Sequence, residues 1–133
     1  MKIRNAEHEE TAPDASNLVI SKLTCSLVGQ AQTIKIVSGT LAHRAYEKDE
    51  TVEEFRCNYG LNPKYRDKIG TGGLQVSGVD SNGEVRIVEL PDHRFFMATL
   101  FLPQLSSSFD VPHCLVVAYL KAAVTFRQRK AKR

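Results

Sequence analysis

At 133 residues, 42% hydrophobic and 25% charged, the chain is sized for one compact domain that buries about two-thirds of its unfolded surface. The net charge is +3, but Arg127, Arg129, Lys130, Lys132 and Arg133 stand together at the end, so the residues before them are net acidic and the basic character is local. No apolar run approaches the ~20 residues of a membrane helix, the N-terminus lacks a signal-peptide core, and Cys25, Cys57 and Cys114 form no C-x-x-C pair. These features argue against a membrane span, a disulfide framework and a zinc site, and predict a cytoplasmic protein with reduced thiols that calls for no metal or cofactor.

Residues 1–17 are polar, show no period that would bury a face, and read as a loop. The body of the domain is expected over 18–126, followed by a basic tail at 127–133. Leu18-Val19-Ile20 with Leu23 predicts a short strand, and Thr33 to Ser38 alternates apolar and polar until Gly39 closes it. Leu41, Ala42, Ala45 and Tyr46 fall at helical spacing, ahead of the solvated turn Glu47-Lys48-Asp49-Glu50.

From Val52 to Tyr59 the pattern alternates again, with Glu53, Phe55, Cys57 and Tyr59 on one face, which is expected to be buried. Asn62-Pro63 predicts a helix start and Gly70 its end. The glycines at 70, 72 and 73 follow a helix and do not lead from a strand into one, so they close a loop and do not cradle a phosphate. Leu74–Val79 and Glu84–Leu90 predict a hairpin, because Asn82-Gly83 favours a tight turn with positive φ.

The stretch Glu84–Leu105 is the densest apolar part of the chain: Val85, Ile87 and Leu90, a break at Pro91-Asp92-His93, then a second strand over Phe95–Phe101. A site is expected just beyond Phe101. Residues 104–112 are Ser-rich and irregular, and a helix is expected from His113 to about Arg127 with Leu115, Val116, Tyr119, Leu120 and Ala123 packed on the sheet. The cations after it either meet RNA, DNA or an acidic partner, or complement the carbonyl end of the helix. With no aromatic residue interleaved after Phe126 there is no stacking platform, so nucleic-acid binding is not expected.

Several strings together resemble the C-terminal glutaminase domain of CTP synthase, a class I glutamine amidotransferase. They are Gly73-Leu74-Gln75-Val76-Ser77-Gly78; Val85-Arg86-Ile87-Val88-Glu89-Leu90-Pro91-Asp92-His93; Leu100-Phe101-Leu102-Pro103-Gln104; and Leu120-Lys121-Ala122-Ala123. Upstream, Ser38 to Tyr46 is similar to the family's P-G-S-x-A-x-x-A-Y turn. Glu54 to Asn62 is similar to its R-H-R-H-R-Y-E-V-N strand, with Arg56, Tyr59 and Asn62 kept. Strings such as Phe55 to Pro63 and Thr99 to Ser107 resemble stand-alone relatives of this C-terminal region still more closely.

The resemblance implies an α/β fold: part of a class I glutamine amidotransferase-like domain, with mainly antiparallel and mixed strands and flanking helices in this segment. It also implies glutamine hydrolysis by a cysteine, a histidine and a glutamate, with the ammonia used to convert UTP to CTP. The family's histidine and glutamate fall on Leu102 and Gln104, neither of which can manage a proton as that pair does. The family's G-x-C-x-G-x-Q nucleophile turn is not found, which fits a truncated or split reading frame. The three cysteines are read as small buried hydrophobes, and neither His93 nor His113 falls in a constellation.

Arg56, Asn58, Tyr59, Leu102 and Gln104 are the pocket candidates that follow from the resemblance. Three roles are consistent with this: a domain fragment without glutaminase activity, a subunit completed by a partner that carries the nucleophile half, or a non-catalytic ligand-binding or regulatory module. An exposed sheet edge predicts self-association.

Overall fold

The computed structural model describes residues 3–132; Met1 and Lys2 of the polar segment and Arg133 of the basic tail lie outside the described residues. Its centre is a five-stranded sheet in the order β4-β3-β6-β7-β8. The strands are β3 (Gln30–Ile36), β4 (Glu50–Phe55), β6 (Gln75–Val79), β7 (Val85–Glu89) and β8 (Met97–Thr99), and every neighbouring pair is antiparallel. A smaller sheet holds β1 (Glu7–His8), β2 (Leu18–Lys22) and β5 (Tyr59–Leu61), with β1 parallel and β5 antiparallel to β2. Three helices flank them: α1 (Leu41–Tyr46), α2 (Arg66–Thr71) and α3 (Cys114–Ala131). This is the mixed α/β architecture with antiparallel and mixed strands that the sequence implied.

The alternation in β3 and β4 translates directly into burial. Ile34, Ile36, Glu53 and Phe55 point inward, and Val52 on the opposite face of β4 is 65% exposed. The core gathers Ile34, Phe55, Ile87, Phe101, Leu115 and Ala42, with the Phe55 and Phe101 rings edge to face at 5.8 Å. Gly78 is required by this packing, since a Cβ there would lie 2.7 Å from the Ile87 side chain and 3.1 Å from Ile34. Thr40 starts α1 by accepting from the His43 amide on its Oγ1, and Glu47 ends it with a left-handed φ of 55°.

Several local expectations are corrected. The polar segment contains β1, which pairs with β2 through the Glu7 amide donating to the Asn17 carbonyl and the Glu9 amide donating to the Ile20 carbonyl. The alternating run stops at Phe55, and Tyr59 belongs to the other sheet. Helix α2 continues past Gly70 to Thr71, capped by Gly72.

The β6–β7 hairpin forms where the Asn82-Gly83 pair placed it. In its loop only Gly83 is left-handed, at φ 79°, after a turn closed by the Gly83 amide donating to the Asp80 carbonyl. Asp80 Oδ1 also accepts from the Asn82 and Glu84 amides.

Strand β8 spans only Met97–Thr99, because the 91–96 segment is spent on a turn in which His93 Nδ1 meets the Phe95 backbone. Pro103–Ser106 forms a 3-10 turn. Helix α3 runs through the start of the basic tail to Ala131 and buries only Leu115; Tyr119 and Leu120 of the expected sheet-facing stripe are more than half exposed.

Candidate functional site

The segment that would carry proton-managing groups follows Phe101, which is 1% exposed and anchors it to the core. Leu102 is half-buried, and Gln104 is exposed on the 3-10 turn. The Phe55–Phe101 contact and a hydrogen bond from Cys57 Sγ to the Leu100 carbonyl, at 3.1 Å, lay this segment beside the end of β4. Arg56 and Asn58 lie there, both exposed. Tyr59 is half-buried and leans on His8, with ring centroids 5.1 Å apart. Leu102 and Gln104 offer a branched alkyl group and a neutral amide, which can pack and hydrogen-bond but cannot exchange protons.

A cluster that the sequence reading missed lies under α3. Glu53, 3% exposed, accepts from Tyr46 Oη at 2.6 Å and meets His113 Nε2 at 3.1 Å. His113 is also the N-cap of α3, its Nδ1 accepting from the Leu115 amide at 3.2 Å. An acceptor Nδ1 carries no proton, so Nε2 bears it and donates to Glu53. With both ring nitrogens engaged, this histidine holds the helix start and is not free to take a proton from a substrate. Burial first, and then the hydrogen bond and charge of Glu53, raise the Tyr46 hydroxyl well above its ordinary value of 10.0. The signal was present in the sequence: Glu53 falls on the buried face of an alternating strand, and a buried carboxylate needs partners.

The three thiols sit in different surroundings. Burial first, and then the Glu53 charge, raise Cys114 above its ordinary value of 9.0, which disfavours the thiolate. Cys57 spends its proton on the Leu100 carbonyl. Cys25 is exposed, contrary to its reading as a buried hydrophobe, and lines a cleft of about 300 Å³ and mixed polarity that includes Lys22, Gln32 and a buried Asp80–Arg86 ion pair at 2.7 Å. A second cleft, about 270 Å³ and mostly apolar, runs past β8 and includes Ile20, Leu61, Ile87, Ala98 and Leu100. Among the described residues, no group of three or more His, Cys, Asp or Glu could hold a metal ion, and no helix is long and apolar enough to cross a membrane.

Glu89 has a different task. Only 1% exposed, it accepts from the Leu41 amide at 2.7 Å and the Ala42 amide at 3.0 Å, so its carboxylate caps α1 from another strand. The Glu-Leu-Pro-Asp-His string is therefore architectural here, since His93 likewise serves its own turn.

No protein-family model matches the chain. The CTP synthase of Saccharolobus solfataricus is 38% identical over 95 residues, covering 71% of this chain and 18% of that protein. The CTP synthase of Chlamydia trachomatis serovar L2 is 31% identical over 139 aligned residues, covering 95% of this chain and 25% of that protein. The glutaminase domain of Trypanosoma brucei CTPS, solved with bound acivicin, superposes with a TM-score of 0.82 at 26% identity over 90% of this chain and 51% of that one. The chain thus spans a quarter or less of these curated relatives and about half of the solved domain. Over most of its length, it is a CTP synthase glutaminase-domain-like protein.

Proposed function

We propose that the chain is a glutamine amidotransferase-type scaffold, related to the domain that hydrolyses glutamine to supply ammonia for UTP to CTP conversion, and that by itself it does not hydrolyse glutamine. The observation that carries this is Leu102 and Gln104 at the positions matched to the family's histidine and glutamate. The closed hydrogen bonding of His113 and the Cys114 thiol, held protonated by burial, support it. Purified chain incubated with glutamine is expected to release no ammonia. Release that disappears when one of Cys25, Cys57 or Cys114 is changed to alanine would overturn the reading.

A second reading, that the chain works against a partner surface, is favoured by the sheet edge. Among the described residues, strand β8 has a neighbour on one side only, and the apolar cleft runs beside it. An extended apolar segment fits there, supplied by a second copy or by a partner that carries a cysteine turn. In a cytoplasmic setting, light scattering is expected to find dimers or a co-purified partner. A monodisperse monomer recovered without a companion rules the reading out.

A further inference from the structure

We propose that the surface formed by the 91–96 turn and α3 from Tyr119 onward binds single-stranded nucleic acid. The proposal is independent of the glutaminase reading. Helix α3 contains Lys121, Arg127, Arg129 and Lys130 and no acidic residue, and Lys132 follows it. All five are exposed, and among the described residues no ion pair engages any of them. Cations beyond those needed at a helix end form the electrostatic footprint of a phosphate backbone.

The sequence alone offered no stacking surface near these charges. The fold supplies one by laying the turn against the helix. The Arg94 guanidinium sits 3.6 Å from the centroid of the Phe126 ring, and Arg94, Phe126, Arg129 and Lys130 line one small cleft. An adjoining groove is lined by His93, Phe95 and Tyr119, with Phe95 and Tyr119 edge to face at 5.7 Å. Tyr119 is 57% exposed, Phe96 43% and Phe126 40%, so each ring keeps solvent-accessible surface beside its contacts with Phe95, His93 and Arg94. A guanidinium stacked on a ring extends that platform and brings a phosphate ligand to its edge. Asp92 is the acidic residue on the same turn.

Rings interleaved with cations suit alternating bases and phosphates. A lipid surface requires apolar and charged residues to segregate to opposite faces of a helix, and those of α3 do not.

The test is fluorescence anisotropy of the full chain with labelled oligo-dT and oligo-U of ~15 nucleotides across a salt series. Binding is expected at ~50 mM salt, weakening with a log–log slope of about −2 to −3, as three or four phosphate contacts would give. The substitution R129E/K130E, on exposed positions, is expected to lower affinity at least tenfold with an unchanged circular dichroism spectrum. Y119A is expected to lower it roughly tenfold while leaving the salt slope unchanged. The proposal is overturned by absence of binding at low salt, by indifference to R129E/K130E, by duplex binding as tight as single strand with Y119A silent, or by capture on phosphatidylserine vesicles that the oligonucleotide does not compete.

Discussion

Glu89 and Gln104 lie on either side of β8, and the fold treats them in opposite ways. Glu89 is almost wholly buried, and both carboxylate oxygens are used by the amides that open α1. Gln104 stands in solvent on a 3-10 turn with its backbone held by the core residue Phe101 and not by its own side chain. The side chain of Glu89 is built into the architecture, whereas that of Gln104 is turned to solvent, so a change at the second position leaves intact what a change at the first would undo.

That contrast can be broken in several ways. The strongest is Phe101→Ala, which removes a fully buried ring and should cost roughly 3–5 kcal/mol in urea unfolding; a loss as small as a surface change would mean the site segment is not anchored as described. Glu53→Ala leaves the Tyr46 hydroxyl and the His113 ring without their buried acceptor and is expected to cost about 3 kcal/mol, much of it recovered by Glu53→Gln. Glu89→Ala deletes two charge-assisted hydrogen bonds to backbone amides and should cost about 2–3 kcal/mol, seen as a lowered Tm.

A milder perturbation is alkaline pH. Tyr46 and Cys114 hold their protons in the folded state above their ordinary values of 10.0 and 9.0. Above those values the unfolded chain binds fewer protons than the folded one, so stability is full below about pH 9 and falls as pH rises. Tyr46→Phe should flatten the upper part of that decline in denaturation series from pH 8 to 11. Smallest of all is the double change Leu102→His with Gln104→Glu. At half-buried and exposed positions it should alter stability by less than about 0.5 kcal/mol, and it should yield no ammonia release.

The parts that were legible in the sequence are those set by local chemistry. Asn82-Gly83 marked the β6–β7 loop, and alternation placed Phe55 inward with Glu53 beside it. The misreadings came from long-range placement. Helical spacing shows that Tyr119 and Leu120 can share a stripe, but not what covers it; here Tyr119 meets Phe95 of the 91–96 turn and not the sheet, and both residues stay more than half exposed. The 91–96 turn uses Phe95 and Phe96 against its own histidine and α3, which shortened β8. The Tyr46–Glu53–His113 cluster joins residues 7 and 60 positions apart, a pairing that no local pattern encodes. At the candidate site, the changed identities at 102 and 104 could be read directly; the surroundings of Cys25 and Cys114 could not.

The cap that Glu89 provides also bears on the order in which the molecule assembles. Helix α1 has six residues, too few to hold together in water, and its first amides find their acceptors 47 and 48 positions later in the chain. Closing that loop requires the β6–β7 hairpin, which forms through a local turn and can precede it. Helix α1 is therefore a late element despite its early position. A chain emerging from the ribosome would carry Leu41–Tyr46 unstructured until Glu89 arrives to receive it.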